Sequence, residues 1–190
     1  MALAAEHGAD RLETAFASIL DHAERMMRAA FAAIADGTYT GEEHSDNDCF
    51  ARVDVPVRVT LRVRAGTMEV DFTGSAAQTK GFKNSSLANT YSAVYMALFA
   101  FLDSSVPKNA GSFRPVTIVA PEGTVVNAKY PAAMTANTMH PAAEIVHAIW
   151  KALALALPDR ACAGWGKIGH CISSGRRESG EVWVMYHMHA

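Results

Sequence analysis

The stretch VPVRVTLRVRAGTMEVDFT, residues 55–73, decides the fold. Val55, Val57, Val59, Leu61 and Val63 alternate with Pro56, Arg58, Thr60, Arg62 and Arg64, and after Ala65-Gly66 the alternation resumes at Met68, Val70 and Phe72. A two-residue period sends successive side chains to opposite faces of a strand, so the spacing predicts strands over 55–64 and 67–73, each with one apolar and one polar face. Their short, glycine-containing connection closes them as an antiparallel hairpin. Register then sets Glu69 and Asp71 against the arginine face, within reach of cross-strand ion pairs.

Upstream, Leu12, Phe16, Ile19, Ala23, Met27, Ala30, Phe31 and Ile34 recur at three- and four-residue intervals, the spacing of one helix face, and predict an amphipathic helix over 10–35. Asp36-Gly37 supplies its expected stop, with glycine in the left-handed C-terminal position. GTYTGEEHSDNDCFARVD, residues 37–54, reads as a short strand followed by an acidic loop. Glu42, Glu43, Asp46 and Asp48 in it lack the spacing and closing glutamate of a calcium loop, so they read as solvated charge.

Downstream, GSAAQTKGFKNSS is a loop, and Leu87, Tyr91, Val94, Tyr95, Leu98, Phe101 and Leu102 form a second helix with Ser85 or Ser86 as its cap. Tyr91, Tyr95, Met96 and Phe99 read as core or interface rather than a cofactor box. VPKNAGSFRP is a loop, 116–120 a strand, PEGTVVN a turn with a further short strand, and YPAAMTANTMHP an irregular connection. Pro141 suits the first turn of a third helix, whose stripe Ile145, Ile149, Leu153 and Ala156 or Leu157 ends at Pro158. A glycine-rich loop, AGWGKIGHCISSGRRESG, precedes a terminal strand at 181–188.

The fold class is therefore α+β: amphipathic helices packed on mixed or antiparallel strands. It divides into a helix lead-in (1–36), a β-hairpin (53–73), a helix–strand–helix block (85–160), and a loop with a terminal strand (161–190). Because that strand meets the last residue with no turn or cap after it, the expectation is an incomplete domain completed by other chains.

At 190 residues and 50% apolar composition the chain is long enough to bury one core. A net charge of −2 with both signs interspersed offers no footprint for nucleic acid or an anionic membrane. No apolar run reaches the ~20 residues of a membrane span, and Met1 to His7 lacks the pattern of a signal peptide, so the expected location is the cytoplasm. Cys49, Cys162 and Cys171 form neither an even set nor a CxxC pair, which argues for reduced thiols.

DFTGSAAQTKGFKN (71–84), NTYSAVYMALFAFLD (89–103) and VPKNAGSFRPVTIVAPEGTVVNAKYPAA (106–133) together resemble the hydantoinase B/oxoprolinase family, with DGTY (36–39) and ALPDR (156–160) at the two ends of the match. That family includes N-methylhydantoinase B, 5-oxoprolinase and acetone and acetophenone carboxylase subunits, and the resemblance is to its central segment. It implies a small-molecule substrate and an ATP-dependent enzyme hydrolysing a cyclic amide such as hydantoin, oxoproline or a lactam. The alternatives it leaves are a ketone carboxylase subunit and a non-catalytic scaffold. It further implies a hydantoinase A-like ATP-binding subunit and the remaining hydantoinase B-like portion as partners. ATP and a divalent metal belong to the whole complex, neither bound wholly within this chain.

Asn84, Asn109, Arg114 and Asn127 lie in or beside the family-like loops, and amides with a guanidinium suit recognition of a phosphorylated or carboxylated oxyanion. The competing reading has the asparagines holding turns and Arg114 in a structural ion pair. His140 and His170 join them as substrate contacts. His187 and His189 share a strand face and invite a metal, yet no HxxxH or HExxH element accompanies them or His147. No residue supplies a base for Cys171 as a nucleophile. Gly74, Gly81 and Gly111 serve backbone geometry, since neither GxxxxGK[ST] nor a strand-linked GxGxxG occurs. No residue is assigned a catalytic role from sequence.

Overall fold

The computed structural model describes residues 2–164 and 169–189. Helices α1 (Ala2–His7) and α2 (Ala9–Ala32) lead into a four-stranded sheet, β1 (Gly37–Asn47), β2 (Arg52–Arg64), β3 (Thr67–Asp71) and β4 (Val116–Val119), in that spatial order. Between β3 and β4 the chain forms α3 (Leu87–Phe101) and the short α4 (Ala110–Phe113); α5 (Ala142–Ala156) follows β4. A separate hairpin, β5 (Gly169–Arg176) and β6 (Val182–His189), comes last.

The hairpin read from sequence stands as expected. Ala65 and Gly66, both at positive φ, form the turn, and the register sets Arg62 opposite Glu69 and Thr60 opposite Asp71. Arg62 Nη1 donates to Glu69 at 2.5 Å and to Asp71 at 3.0 Å. Val55, Val57, Val59, Leu61, Val63, Met68, Val70 and Phe72 form the buried inner face. β4 joins β3 in parallel, with α3 and α4 inside the crossover.

Helix α5 lies across the inner face against β1 and β2 and packs on α3, to which Trp150 Nε1 is tied through the Ala97 carbonyl at 3.0 Å. Every residue from Ala142 to Ile149 is buried, so α5 is the central element of the core. Burying each of its large aliphatic side chains contributes roughly 1.5–3 kcal/mol. Ser86 caps α3, its hydroxyl accepting from Asn89 N at 3.2 Å.

Several expectations are corrected. The acidic stretch is not a loop: Glu42, Glu43 and Asp46 lie in β1, an eleven-residue strand paired with β2, and Asp48 follows it. On the outer face Glu42 pairs with Arg58 and with His44, and on the inner face Glu43 pairs with Lys151. Helix α2 ends at Ala32 on a right-handed cap, before Asp36-Gly37, and Gly37 opens β1. Pro141 sits at the cap of α5 rather than inside its first turn. The expected short strand in PEGTVVN is only a bridged turn, Thr124 to Asn127, and VPKNAGSFRP contains α4. Residues 169–176 of the glycine-rich stretch expected as a loop form strand β5, paired with β6 along its length; residues 165–168 of the stretch lie outside the described residues.

Candidate functional site

Gly41 lies on the inner face of β1, opposite Val59, at the point where α5 crosses. A Cβ there would stand 2.0 Å from the Ala148 carbonyl oxygen, so only glycine allows this approach of helix to strand. Two and four residues along the same face come Glu43 and Ser45. On α5, Glu144, His147 and Lys151 recur at helical spacing and meet them. The result is a seam of polar side chains in an otherwise apolar interface.

At its inner end Ser45 Oγ donates to Glu144 Oε1 at 2.8 Å, and His140 Nδ1 lies 2.8 Å from the same oxygen. Lys83 Nζ donates to Ser45 Oγ at 3.4 Å. Glu144 is fully buried, Ser45 and Lys83 nearly so, and the His140 side chain keeps 17% exposure. Burial pushes the Glu144 carboxyl up, but the hydrogen bond and charge of His140, with the Ser45 hydroxyl, more than offset it and hold the group below the ordinary carboxylate range. At the other end Glu43 Oε2 meets Lys151 Nζ at 3.0 Å and His147 Nδ1 at 3.9 Å, beside a small cleft reaching Trp150, Cys162 and Gly164.

Two loops close over the inner end. The Asp48 carboxylate accepts the Ala51 and Phe50 amides at 2.8 and 2.9 Å, which holds it below its ordinary value and shapes the turn after β1. Gly81 packs onto that turn: a Cβ there would fall 1.6 Å from the Asp48 carbonyl oxygen. Phe50 and Phe82 meet edge to face at 5.9 Å across the junction.

Of the residues marked from sequence, His140 and Asn84 belong to this region. Asn84 is fully buried and its amide serves backbone: Oδ1 accepts from Thr79 N at 2.8 Å, while Nδ2 donates to the carbonyls of Thr79, Gly81 and Ala133 at 3.1, 2.8 and 2.9 Å. It thereby fixes the loop that carries Lys83. Asn109 caps α4, Oδ1 accepting from Gly111 N at 2.9 Å. Arg114 pairs with Asp21 and Glu24 of α2 at 2.7 and 3.1 Å. Asn127 Nδ2 donates to the Ala120 carbonyl at 2.8 Å. The backbone of His170 pairs with Met188, and Cys171 with His187; the side chains of His170, Cys171, His187 and His189 lie outside the described residues.

Sequence reading passed over Ser45, Lys83 and Glu144. The available signal was HPAAE, residues 140–144: a histidine and a glutamate four apart, the glutamate just ahead of Ile145 and Ile149 of the buried stripe. Ser45 and Lys83 gave none, since both are brought in by tertiary contact.

The hydantoinase B/oxoprolinase family model matches residues 1–190, the whole chain. The chain belongs to the hydantoinase B/oxoprolinase family. This family member is 32% identical over 190 residues to the B-type component of a putative D-/L-hydantoinase from Pseudomonas sp. (strain NS671), covering 94% of this chain and 32% of that protein. Its fold matches the crystal structure of the ATP-dependent caprolactamase from Pseudomonas jessenii with a TM-score of 0.80 at 27% identity, over 96% of this chain and 35% of that one. A nucleotide-free acetone carboxylase structure also matches with a TM-score of 0.80, over 97% of this chain and 27% of the other, but at 19% identity that likeness shows the fold alone. The chain spans about a third of the length of the hydantoinase component and the caprolactamase chain.

Among the described residues no three His, Cys, Asp or Glu side chains gather to hold a metal ion. The sequence contains neither GxxxxGK[ST] nor a strand-linked GxGxxG. No helix among the described residues is long and apolar enough to cross a membrane.

Proposed function

We propose that this segment is part of an ATP-dependent enzyme that opens a cyclic amide such as a hydantoin, oxoproline or lactam. A hydantoinase A-like partner subunit phosphorylates the amide oxygen, and the remaining hydantoinase B-like portion works with this segment on the activated ring. The observation that carries this reading is the likeness to the ATP-dependent caprolactamase, 27% identical over 96% of this chain. The 19% likeness to acetone carboxylase gives the ketone carboxylase reading no comparable support. The chemistry is coherent, because an unactivated amide is a poor electrophile and phosphorylating its oxygen creates a leaving group.

Within the segment, the reading keeps His140 and His170 as groups that face substrate. Asn84, Asn109, Arg114 and Asn127 instead hold loops and helices of the segment, a division supported by the hydrogen bonds these four make inside the chain.

The test is to purify the complete protein with its hydantoinase A-like partner and follow ATP consumption and ring opening with hydantoin, 5-oxoproline and caprolactam. Acetone with bicarbonate serves as the contrast. ATP-dependent opening of at least one cyclic amide is expected. Carboxylation of the ketone with no ring opening overturns the reading, as does ring opening indifferent to ATP.

A further inference from the structure

We propose that His140 is a proton-transferring catalytic residue and that buried Glu144 is its positioning residue. The assignment rests on the cyclic-amide reading above and deepens it. Glu144, held below the ordinary carboxylate range by His140 and Ser45, is an ionised, acceptor-only group, so the hydrogen in its 2.8 Å contact with His140 comes from Nδ1. That fixes the imidazole tautomer and leaves Nε2 as the basic nitrogen. The structure gives no hydrogen bond at Nε2 to any described residue.

Exposure separates the two roles. Glu144 at 0% and Ser45 at 6% are sealed within the α5–β1 interface, while the His140 side chain at 17% is the member that meets the outside. A carboxylate held in a dry interface stabilises an imidazolium more than one in water does, because the local dielectric is low. The Ser45 hydroxyl donates to the same carboxylate oxygen and so draws off part of its charge from His140. The other charged or titratable groups around the couple are Glu43 of β1, Asp48 of the following turn, Lys83 of the Asn84 loop, and His147 and Lys151 of α5. Of these, Lys83 is linked to it through Ser45.

Chemically, His140 Nε2 takes a proton from water as the water oxygen bonds to the activated ring carbon. It returns that proton to the ring nitrogen as the C–N bond breaks and its electron pair moves onto nitrogen; the added hydroxyl gives its proton to solvent as the carbon–oxygen double bond re-forms, and the resulting acyl phosphate is hydrolysed by a second water to carboxylate and inorganic phosphate. Glu144 neutralises the imidazolium between the two events and exchanges no proton.

The experiment uses the complete protein with its partner, comparing pH profiles of kcat for wild type, His140→Gln and Glu144→Gln. For His140→Gln the expectation is a fall in kcat of about 10²–10⁴-fold with little change in KM, disappearance of the acid limb, and partial recovery when imidazole is added. For Glu144→Gln it is a smaller fall with the acid limb moved to lower pH, because loss of the carboxylate makes the imidazole less basic. If that variant folds poorly, Ser45→Ala tests the same link: losing a donor makes the carboxylate a stronger partner, and the limb moves to higher pH. A folded His140→Gln protein that keeps the acid limb overturns the proposal. So does activity lost equally at every pH without rescue by imidazole, the mark of a structural histidine. The limb is scored on whichever ATP-dependent turnover the wild type shows. Failure of the cyclic-amide reading is therefore seen in the substrate panel, and failure of the histidine assignment in the pH profile.

Discussion

Gly41 and Asn84 bear on the seam without contributing a charge to it. A methyl group at Gly41 has nowhere to go but into the Ala148 carbonyl, so α5 must lift from β1. Gly41→Ala is expected to destabilise the fold by about 1–3 kcal/mol, the usual cost of overpacking a filled interface, and thermal unfolding measures it. The lift also lengthens the Ser45–Glu144 contact. Asn84→Ala strands several backbone groups that its amide satisfies. A loss of about 1–3 kcal/mol is expected in denaturant unfolding. An unchanged midpoint would remove Asn84 from its role as the holder of the Lys83 loop.

At the level of elements, α2 behaves as two helices in one. Its carboxyl-terminal half buries Ala23, Met27 and Phe31, whereas Phe16 and Ile19 on the same stripe remain more than half exposed. Phe31→Ala is expected to cost about 3–5 kcal/mol, against about 0.5 kcal/mol or less for Phe16→Ala; equal costs in urea unfolding would contradict the division. The outer face of β1 and β2 makes a separate prediction. His44 bridges Asp54 at 2.6 Å and Glu42 at 2.5 Å, and these hydrogen bonds raise its imidazole above the ordinary histidine value. Its stabilising contribution is thus complete below the unfolded-state value and is lost as pH rises through the folded one. With 41% of the side chain exposed, the effect on stability is small and salt-sensitive. The direct check is an NMR titration, in which the His44 midpoint lies above the usual range and falls in Asp54→Asn.

Across the whole molecule, carboxylates held below their ordinary range set the response to acid. Glu24, Glu42, Asp48 and Glu144 are all of this kind. Such groups stabilise the fold above their unfolded-state values, and that contribution disappears as pH falls through the folded ones. Glu144 dominates because it lies fully inside the core, where a protonated carboxyl no longer pairs with His140. Denaturant midpoints followed from neutral to acid pH should fall steeply in the wild type and less steeply in Glu144→Gln. Parallel curves would show that Glu144 carries no such linkage.

The sequence by itself determined the elements whose signal is periodic. Residues 55–73 dictated two strands, their turn and their register, because alternation and a two-residue connection leave one pairing that buries the apolar face. Helices α2, α3 and α5 followed from three- and four-residue spacing, and the family followed from motifs that span nearly the whole chain. Only the tertiary structure decided that the acidic stretch is a strand, since Glu42 and His44 are acceptable there only once Arg58 and Asp54 stand beside them. The candidate site was hidden for the same reason. Ser45, Lys83 and Glu144 come from separate parts of the chain, and what joins them is the approach of α5 to β1 over Gly41. No local pattern encodes that distance, because the absence of one side chain acquires meaning only when another backbone arrives to fill the space.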